Sequence, residues 1–367
     1  MSALGAGETR TLERETARKV AFLSRRAAYP GEAGRGEVEV VETRASFVFL
    51  CGERVWKLKK PVCRPPLDLS TLERRRWNAE EELRLNRRLA PEVYLGLEPL
   101  VERADGGLAL GGAGRVVDWL VVMRRLPAAR TLERTILAGR VSDADLVRLG
   151  ELLADFHGRA APAEVTPEEH HARLVEGVQE DLRLLLRAEL ESPRAAACGG
   201  AGFEGVGLGG AGFRGMGRAA AERLGTELLA ALAAGRRRFQ ARVEAGRVIE
   251  GHGDLRPEHV YLVRPRPLVI DCLEFSRPLR ELDPADELAY LGLECERLGA
   301  PGVGARVLEV YRAARQGDPP AWLVAFYRRY RALRRARLAL SHLEDADPRD
   351  PQRWRARCAE YLALAGR

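Results

Sequence analysis

Two aspartates seventeen residues apart, Asp254 in "GHGDLRPEHVYL" and Asp271 at the end of "LVID", are the residues here best placed to do chemistry. A lone His-Gly-Asp occurs in many turns. Here it precedes a short apolar strand, "VYLV", and a second strand, "LVID", leads back to Asp271. Carboxylates at the mouths of adjacent hairpin strands can face one cleft and supply one base and one metal ligand. A second concentration of reactive groups is "RVWKLKKPV", residues 54–62. The chain has 60 Lys plus Arg, yet only Lys19, Lys57, Lys59 and Lys60 are lysine. Three of the four fall within four residues. Period-two alternation places Val55 and Lys57 on one strand face, with Lys59 farther along it.

These residues need elements to hold them. Residues 10–28 have helical spacing, ended by Tyr29-Pro30-Gly31. Three strands follow, in "EVEVV", "SFVFL" and "VWKLK", with a turn at Cys51–Arg54. Ser70-Thr71-Leu72-Glu73 reads as a capping box opening a helix over residues 71–90, stopped by Pro91. "VYLGLEPLV", "GLALGG" and "VVDWLVVMRRL" add strands, the last apolar enough to be central. Residues 36–126 therefore predict a small α+β lobe with one main helix, preceded by a helical extension over 1–35. From 127 to 367 the pattern is mostly helical, interrupted by the hairpin that carries the two aspartates. Residues 198–217, "CGGAGFEGVGLGGAGFRGMG", read as a flexible loop or lid. No lysine follows these glycines, so they do not make a phosphate-binding P-loop.

A chain of 367 residues with 46% hydrophobic content can fill two domains or lobes. No apolar run is long enough to span a membrane, and the first twenty residues lack the apolar core of a secretory signal. The six cysteines have no metal-ligand spacing and are expected as reduced thiols of a cytoplasmic protein. The net charge of +7 is almost all arginine. No basic block is interleaved with aromatics, so a solvated surface is expected, with neither nucleic acid nor membrane as partner.

"HGDLRPEH…VID", downstream of a lobe with "VWK" and a glutamate-bearing helix, resembles the aminoglycoside phosphotransferase group of the protein-kinase-like fold. The resemblance runs from about residue 36 to about 292. It is strongest over "ETRASFVFLCGERVWKLKKPV…LDLSTLERRRWNAEEELRLNRRLAPEVYLG", a segment similar to bacterial members that often continue into a P-loop kinase domain. With no GxxxxGK[ST], this chain resembles the kinase-like half alone. The resemblance implies an α+β, two-lobed fold, with a small β-rich N-lobe and a larger, mostly helical C-lobe. It also implies ATP and Mg²⁺ as cofactors, and a small hydroxylated molecule as phosphate acceptor.

The resemblance also implies roles. Lys57 holds the nucleotide α/β-phosphates, with Val55 beside the adenine and Lys59 as second choice. A compact ammonium on a flexible stem suits a slot between phosphate and carboxylate better than a planar guanidinium. Glu80, Glu81 and Glu82 are all candidate partners for the lysine. Glu82 is preferred because Asn78, Leu85 and Leu89 share its helical face, with Glu81 as alternate. "ETRAS" stands where protein kinases have a glycine-rich loop, and Ser46 offers a hydroxyl to phosphate. Met123 sits deep, and the backbone of Arg124–Leu126 bonds the adenine edge. His157 is a buried core histidine, His252 orders the loop, and Asp283-Pro284 starts a helix. Asp254 addresses the acceptor hydroxyl, Asp271 chelates the metal, and Glu274 is near enough to touch a metal or a basic substrate. One departure stands out. The position five residues after Asp254 is His259, where the family usually has asparagine as second metal ligand. Either Asp271 is the main anchor, or His259 accepts Mn²⁺, or the protein is a weak or inactive kinase-like scaffold.

Overall fold

The structure is a computed structural model that describes residues 6–32, 36–191, 210–344 and 350–366. It divides into two compact units. The first comprises residues up to 135 together with 252–254 and 258–280; the second holds 136–251, 255–257 and 281–367.

The first unit is built on an antiparallel sheet of six strands. They are β1 (Glu39–Glu42), β2 (Ser46–Cys51), β3 (Arg54–Lys59), β6 (Tyr94–Glu102), β7 (Leu108–Leu110) and β8 (Arg115–Arg124), in the order β1-β2-β3-β8-β6-β7. A small hairpin, β4 (Cys63–Arg64) with β5 (Leu67–Asp68), follows β3. Register pairs Lys57 with Val48 on one side and Val121 on the other, and pairs Val55 with Met123. Alternation then divides β3. Trp56 and Leu58 join Leu23, Tyr29, Phe49 and Leu120 in a cluster beneath α1 (Ala6–Leu23). Val55 joins Ala79, Leu83, Tyr94, Val121 and Met123 beneath α2 (Leu72–Asn86). The cap of α2 is Thr71, whose hydroxyl accepts the Arg74 N–H, rather than Ser70 as the capping-box reading had it. The helix also ends at Asn86, short of Pro91.

β10 (Val260–Tyr261) and β11 (Leu268–Val269) form the hairpin between the two aspartates. Both strands belong to the first unit. Leu268 completes the Val55–Met123 cluster, Thr131 bridges to Tyr261, and Arg130 donates to the Leu262 carbonyl. The short α7 (Arg277–Arg280) follows them, and α3 (Leu132–Leu137) spans the chain's passage into the second unit.

The second unit is helical: α4 (Asp143–Arg159), α5 (Pro167–Glu191), α6 (Gly210–Glu244), α8 (Pro284–Arg297), α9 (Pro301–Ala314), α10 (Ala321–Leu340) and α11 (Pro351–Ala365). The short strands β9 (Ile249–Glu250) and β12 (Glu281–Leu282) pair with each other. Leu174, Leu228, Phe239, Leu293, Tyr327 and Leu333 belong to one continuous core. Of the glycine-rich stretch read as a loop, 198–209 lie outside the described residues, whereas 210–217 form the start of α6. Asp283 caps α8 with Pro284 at its first position, as the sequence predicts, and Arg242 grips the same carboxylate at 2.6 Å. His157 is a core residue, bonded to Glu287 at 2.8 Å and Tyr311 at 3.2 Å.

Candidate functional site

A cavity of about 510 Å³ opens on the α2 side of the sheet, and every residue lining it belongs to the first unit. Val48, Leu50 and Val55 from β2 and β3 contribute apolar wall, as do Met123, Tyr261 and Ile270. Five cationic side chains, Arg44, Lys57, Lys59, Arg124 and Arg125, line it against three carboxylates, Glu82, Asp271 and Glu274. An apolar slot with an excess of positive charge suits a flat heterocycle attached to a polyanion.

Lys57 joins the elements. Its Nζ lies 2.9 Å from Glu82 Oε1 and 3.0 Å from Asp271 Oδ1. Burial opposes the lysine's charge, but Asp271, Glu82 and Glu274 outweigh it and hold the ammonium protonated far into the alkaline range. Glu82 is fully buried. Burial alone would raise its pKa, yet Lys57 and Lys59 hold it below the usual carboxylate range. Lys59, also buried, lies 2.5 Å from the other oxygen, Glu82 Oε2, and 2.7 Å from Glu274 Oε1. One glutamate thus takes an ammonium on each oxygen, and Glu274 is engaged by Lys59. The other two candidate glutamates point elsewhere. Glu80 pairs with Arg76, and Glu81 pairs with Arg84 and Arg280.

Asp271 stands at φ 64°, a left-handed conformation uncommon for a residue with a side chain. Three neighbours hold this turn. The Asp271 N–H donates to the Tyr94 hydroxyl at 3.2 Å, the Cys272 N–H donates to Asn86 Oδ1 at 2.9 Å, and the Arg280 guanidinium reaches the Glu274 carbonyl at 3.2 Å. Burial pushes the Asp271 carboxyl up, but Lys57 prevails and brings it far below the ordinary range.

The loop before β10 is ordered by its histidines. His252 is buried, donates from Nε2 to the Ile270 carbonyl at 2.9 Å, and receives the Asp254 N–H on Nδ1 at 3.2 Å. Between them Gly253 sits at φ 85°, where a Cβ would come within 2.9 Å of Leu273 Cβ, so the turn requires glycine. His259 Nδ1 donates to the Asp254 carbonyl at 2.9 Å. That bond leaves Nε2 as the lone-pair nitrogen of the neutral ring, 3.5 Å from Asp271 Oδ2. The Asp254 carboxylate lies on the other side of the same ring, Oδ2 3.7 Å from Nδ1.

One carboxylate and one imidazole fit a divalent ion that takes the rest of its shell from phosphates and water, as Mg²⁺ commonly does. Among the described residues no group of three or more ligating side chains is preassembled. The imidazole favours Mn²⁺ over Mg²⁺ relative to an all-oxygen pair.

At the strand end after Met123, the Arg124 N–H bonds the Val93 carbonyl at 2.8 Å and the Arg125 N–H bonds Glu53 at 2.7 Å. Two of the three amides expected to face a base are therefore used within the protein. The Leu126 N–H has no partner among the described residues. Ser46 lines the cavity, buried beside a tight turn in which its N–H bonds Thr43 Oγ1 at 3.0 Å. The sequence reading singled out Lys57, Glu82, Asp271 and His259 but assigned no role to Tyr94 or Asn86. Asn86 was detectable as the residue one turn beyond Glu82 on the same face; Tyr94 carried no local signal.

No protein-family model matches the chain. An uncharacterized protein of Mycobacterium tuberculosis and another of Mycobacterium bovis are each 30% identical to it over 313 residues, 85% of this chain and 56% of theirs. The chain thus spans about half the length of these curated relatives. Among solved structures, a choline kinase from Cryptosporidium parvum matches with a TM-score of 0.53 at 8% identity, covering 96% of this chain and 95% of that one. A choline/ethanolamine kinase family protein from Mesorhizobium loti gives 0.49 at 17% identity, covering 95% and 98%. An aminoglycoside-3′-phosphotransferase of type VIII gives 0.44 at 18% identity, covering 88% and 99%. The fold is the kinase-like fold of that choline kinase. Among the described residues no helix is long and apolar enough to cross a membrane.

Proposed function

We propose that this protein is an ATP-dependent phosphotransferase that moves the γ-phosphate to a hydroxyl of a small molecule. The observation that carries the reading is Lys57 bonded at once to Glu82 and Asp271, inside a cavity with apolar walls and excess positive charge. Glu82 fixes the ammonium where it meets α/β-phosphate oxygens. Val48, Val55, Met123 and Ile270 sandwich the base, and the Leu126 N–H gives its edge one donor. Ser46 and the Thr43–Ser46 turn cover the phosphates. Asp271 and His259 Nε2 would hold Mg²⁺ or Mn²⁺, which would supply positive charge against the phosphates. Asp254, on the far side of His259, orients the acceptor hydroxyl and takes its proton. Cys51 and Cys295 are buried free thiols, which suits a reducing cytoplasm.

A second reading, a kinase-like protein that binds nucleotide without turnover, is favoured by His259 itself. Both readings predict nucleotide binding. ATP binding and phosphate release, measured with Mg²⁺ and with Mn²⁺, separate them. Turnover with either metal supports the phosphotransferase. Binding without release under both metals, in the presence of amino-alcohol, sugar and aminoglycoside acceptors, supports the second reading. No binding at all contradicts both. If His259 blocks rather than serves the metal, His259→Asn raises Mg²⁺-dependent turnover above wild type.

A further inference from the structure

Lys59, the last residue of β3, is a charged side chain only 2% exposed, and the proposed reaction gives it no duty. Its ammonium stands between carboxylates from two different segments. It lies 2.5 Å from Oε2 of Glu82 on α2, and 2.7 Å from Oε1 of Glu274, in the turn that follows Asp271. Apart from that ammonium, Glu82 Oε2 has no hydrogen-bonding partner among the described residues. Two other links join α2 to the same turn. Asn86 accepts the Cys272 N–H, and Arg280 reaches both Glu81 and the Glu274 carbonyl. The two segments are therefore tied together without Lys59, and its place calls for a finer role. All these residues belong to the first unit.

Lys57 shows what that role is. Its ammonium reaches Glu82 Oε1 at 2.9 Å and Asp271 Oδ1 at 3.0 Å. Asp271 is also the residue that would ligate the metal, which leaves Glu82 as the anchor dedicated to the lysines. A carboxylate held at one oxygen still turns about its last side-chain bond, a broad and soft torsion. Held at both oxygens, it has one plane. The geometry points to Lys59 as a positioning residue: it pins Glu82 Oε2, fixes the plane of that carboxylate, and so aims Lys57 at the nucleotide phosphates. Glu274 grips Lys59 from the other side and ties the aim to the turn that carries Asp271. This role rests on the reading of Lys57 as the phosphate lysine, and it acts through Lys57 rather than by contact with nucleotide. For stability alone, a buried ion pair offers little over an apolar side chain of the same size.

The first arm of the test reads Lys57 without nucleotide. With so few lysines in the chain, [15N]lysine labelling of the whole protein resolves their ammonium groups one by one. Proton exchange of the Lys57 ammonium is expected to quicken about tenfold in Lys59→Met, the scale of loosening one charged hydrogen bond. Lys19, held by Asp118 and the Val117 carbonyl, is expected to stay unchanged and so reports any general loosening. The second arm is equilibrium titration with ATP. Lys59→Met is expected to weaken binding about tenfold in the wild-type background and not at all in Lys57→Ala, because its effect passes through Lys57. Should Lys59→Met fold poorly, Glu274→Gln carries the first arm, with Lys59 and Lys57 exchange quickened about threefold and Lys19 unchanged. Unchanged Lys57 exchange, equal quickening of Lys19, or an equal loss of ATP affinity in both backgrounds would overturn the inference. Failure of the wild type to bind ATP would instead contradict the phosphotransferase reading, and the exchange arm would still decide whether Lys59 positions Lys57.

Discussion

Lys57 and Lys59 place their ammonium groups on opposite oxygens of Glu82, and this geometry accounts for lysine in a chain otherwise built with arginine. Two planar guanidinium forks, each with five donors, would crowd one buried carboxylate; two compact ammonium ions fit. Lys60 points elsewhere, to Glu42, the Thr43 carbonyl and the Phe47 ring. Lys57→Ala is therefore expected to weaken ATP binding by at least tenfold, and Lys60→Ala by less than twofold, in equilibrium titrations. Equal effects would remove Lys57 from the phosphate-binding role. The clustering of lysines and the alternation of β3 were legible in the sequence. That both lysines share one glutamate was not, because the pairing depends on how α2 settles on the sheet.

At the scale of elements, the site rests on two turns whose backbone no ordinary residue adopts easily, Gly253 at φ 85° and Asp271 at φ 64°. Gly253→Ala would introduce both conformational strain and a 2.9 Å contact with Leu273. Strain of this kind costs about 1–3 kcal/mol. The variant is expected to stay folded, with the segments carrying Asp254 and Asp271 showing faster amide exchange and with turnover reduced more than nucleotide affinity. Unchanged exchange in those segments would contradict the role given to this turn. The strands, α2 and the hairpin were readable from period-two patterning and flanking turn residues. The start of α2 was misplaced by one residue because Ser70 and Thr71 both offer a capping hydroxyl. Thr71 serves, while the Ser70 hydroxyl donates to Asp68.

At the scale of the whole molecule, the helical unit carries its own pH dependence. His170 on α5 is buried, and burial, with Arg173 and His171 nearby, lowers its pKa from 6.5 to about 4. The folded form thus refuses a proton that the unfolded chain accepts. Its contribution is complete above pH 6.5 and is lost as pH falls toward 4, by up to roughly 3 kcal/mol. Denaturant titrations of wild type and His170→Leu between pH 7 and 4 are expected to show a shallower loss of stability in the variant. Parallel curves would contradict the assignment. That the chain has a sheet-based part and a helical part was legible in the alternating strands before Pro127 and the helical spacing after it. The membership of the 258–280 segment was not, since its contacts with β8 and Thr131 are made across more than a hundred residues of sequence.

Asp254 and Asp271 have different duties in the proposed reaction, and one set of binding and turnover measurements on two variants tests this directly. With Mg²⁺ or Mn²⁺ present, Asp254→Asn is expected to bind ATP within about twofold of wild type while phosphate transfer or release falls by about 10²- to 10⁴-fold. Asp271→Asn is expected to lose the metal-dependent part of ATP affinity, so that its Kd becomes the same with and without the ion. If Asp254→Asn loses nucleotide affinity as severely as Asp271→Asn does, or if Asp271→Asn keeps a full metal dependence, the division of roles between the two carboxylates is wrong.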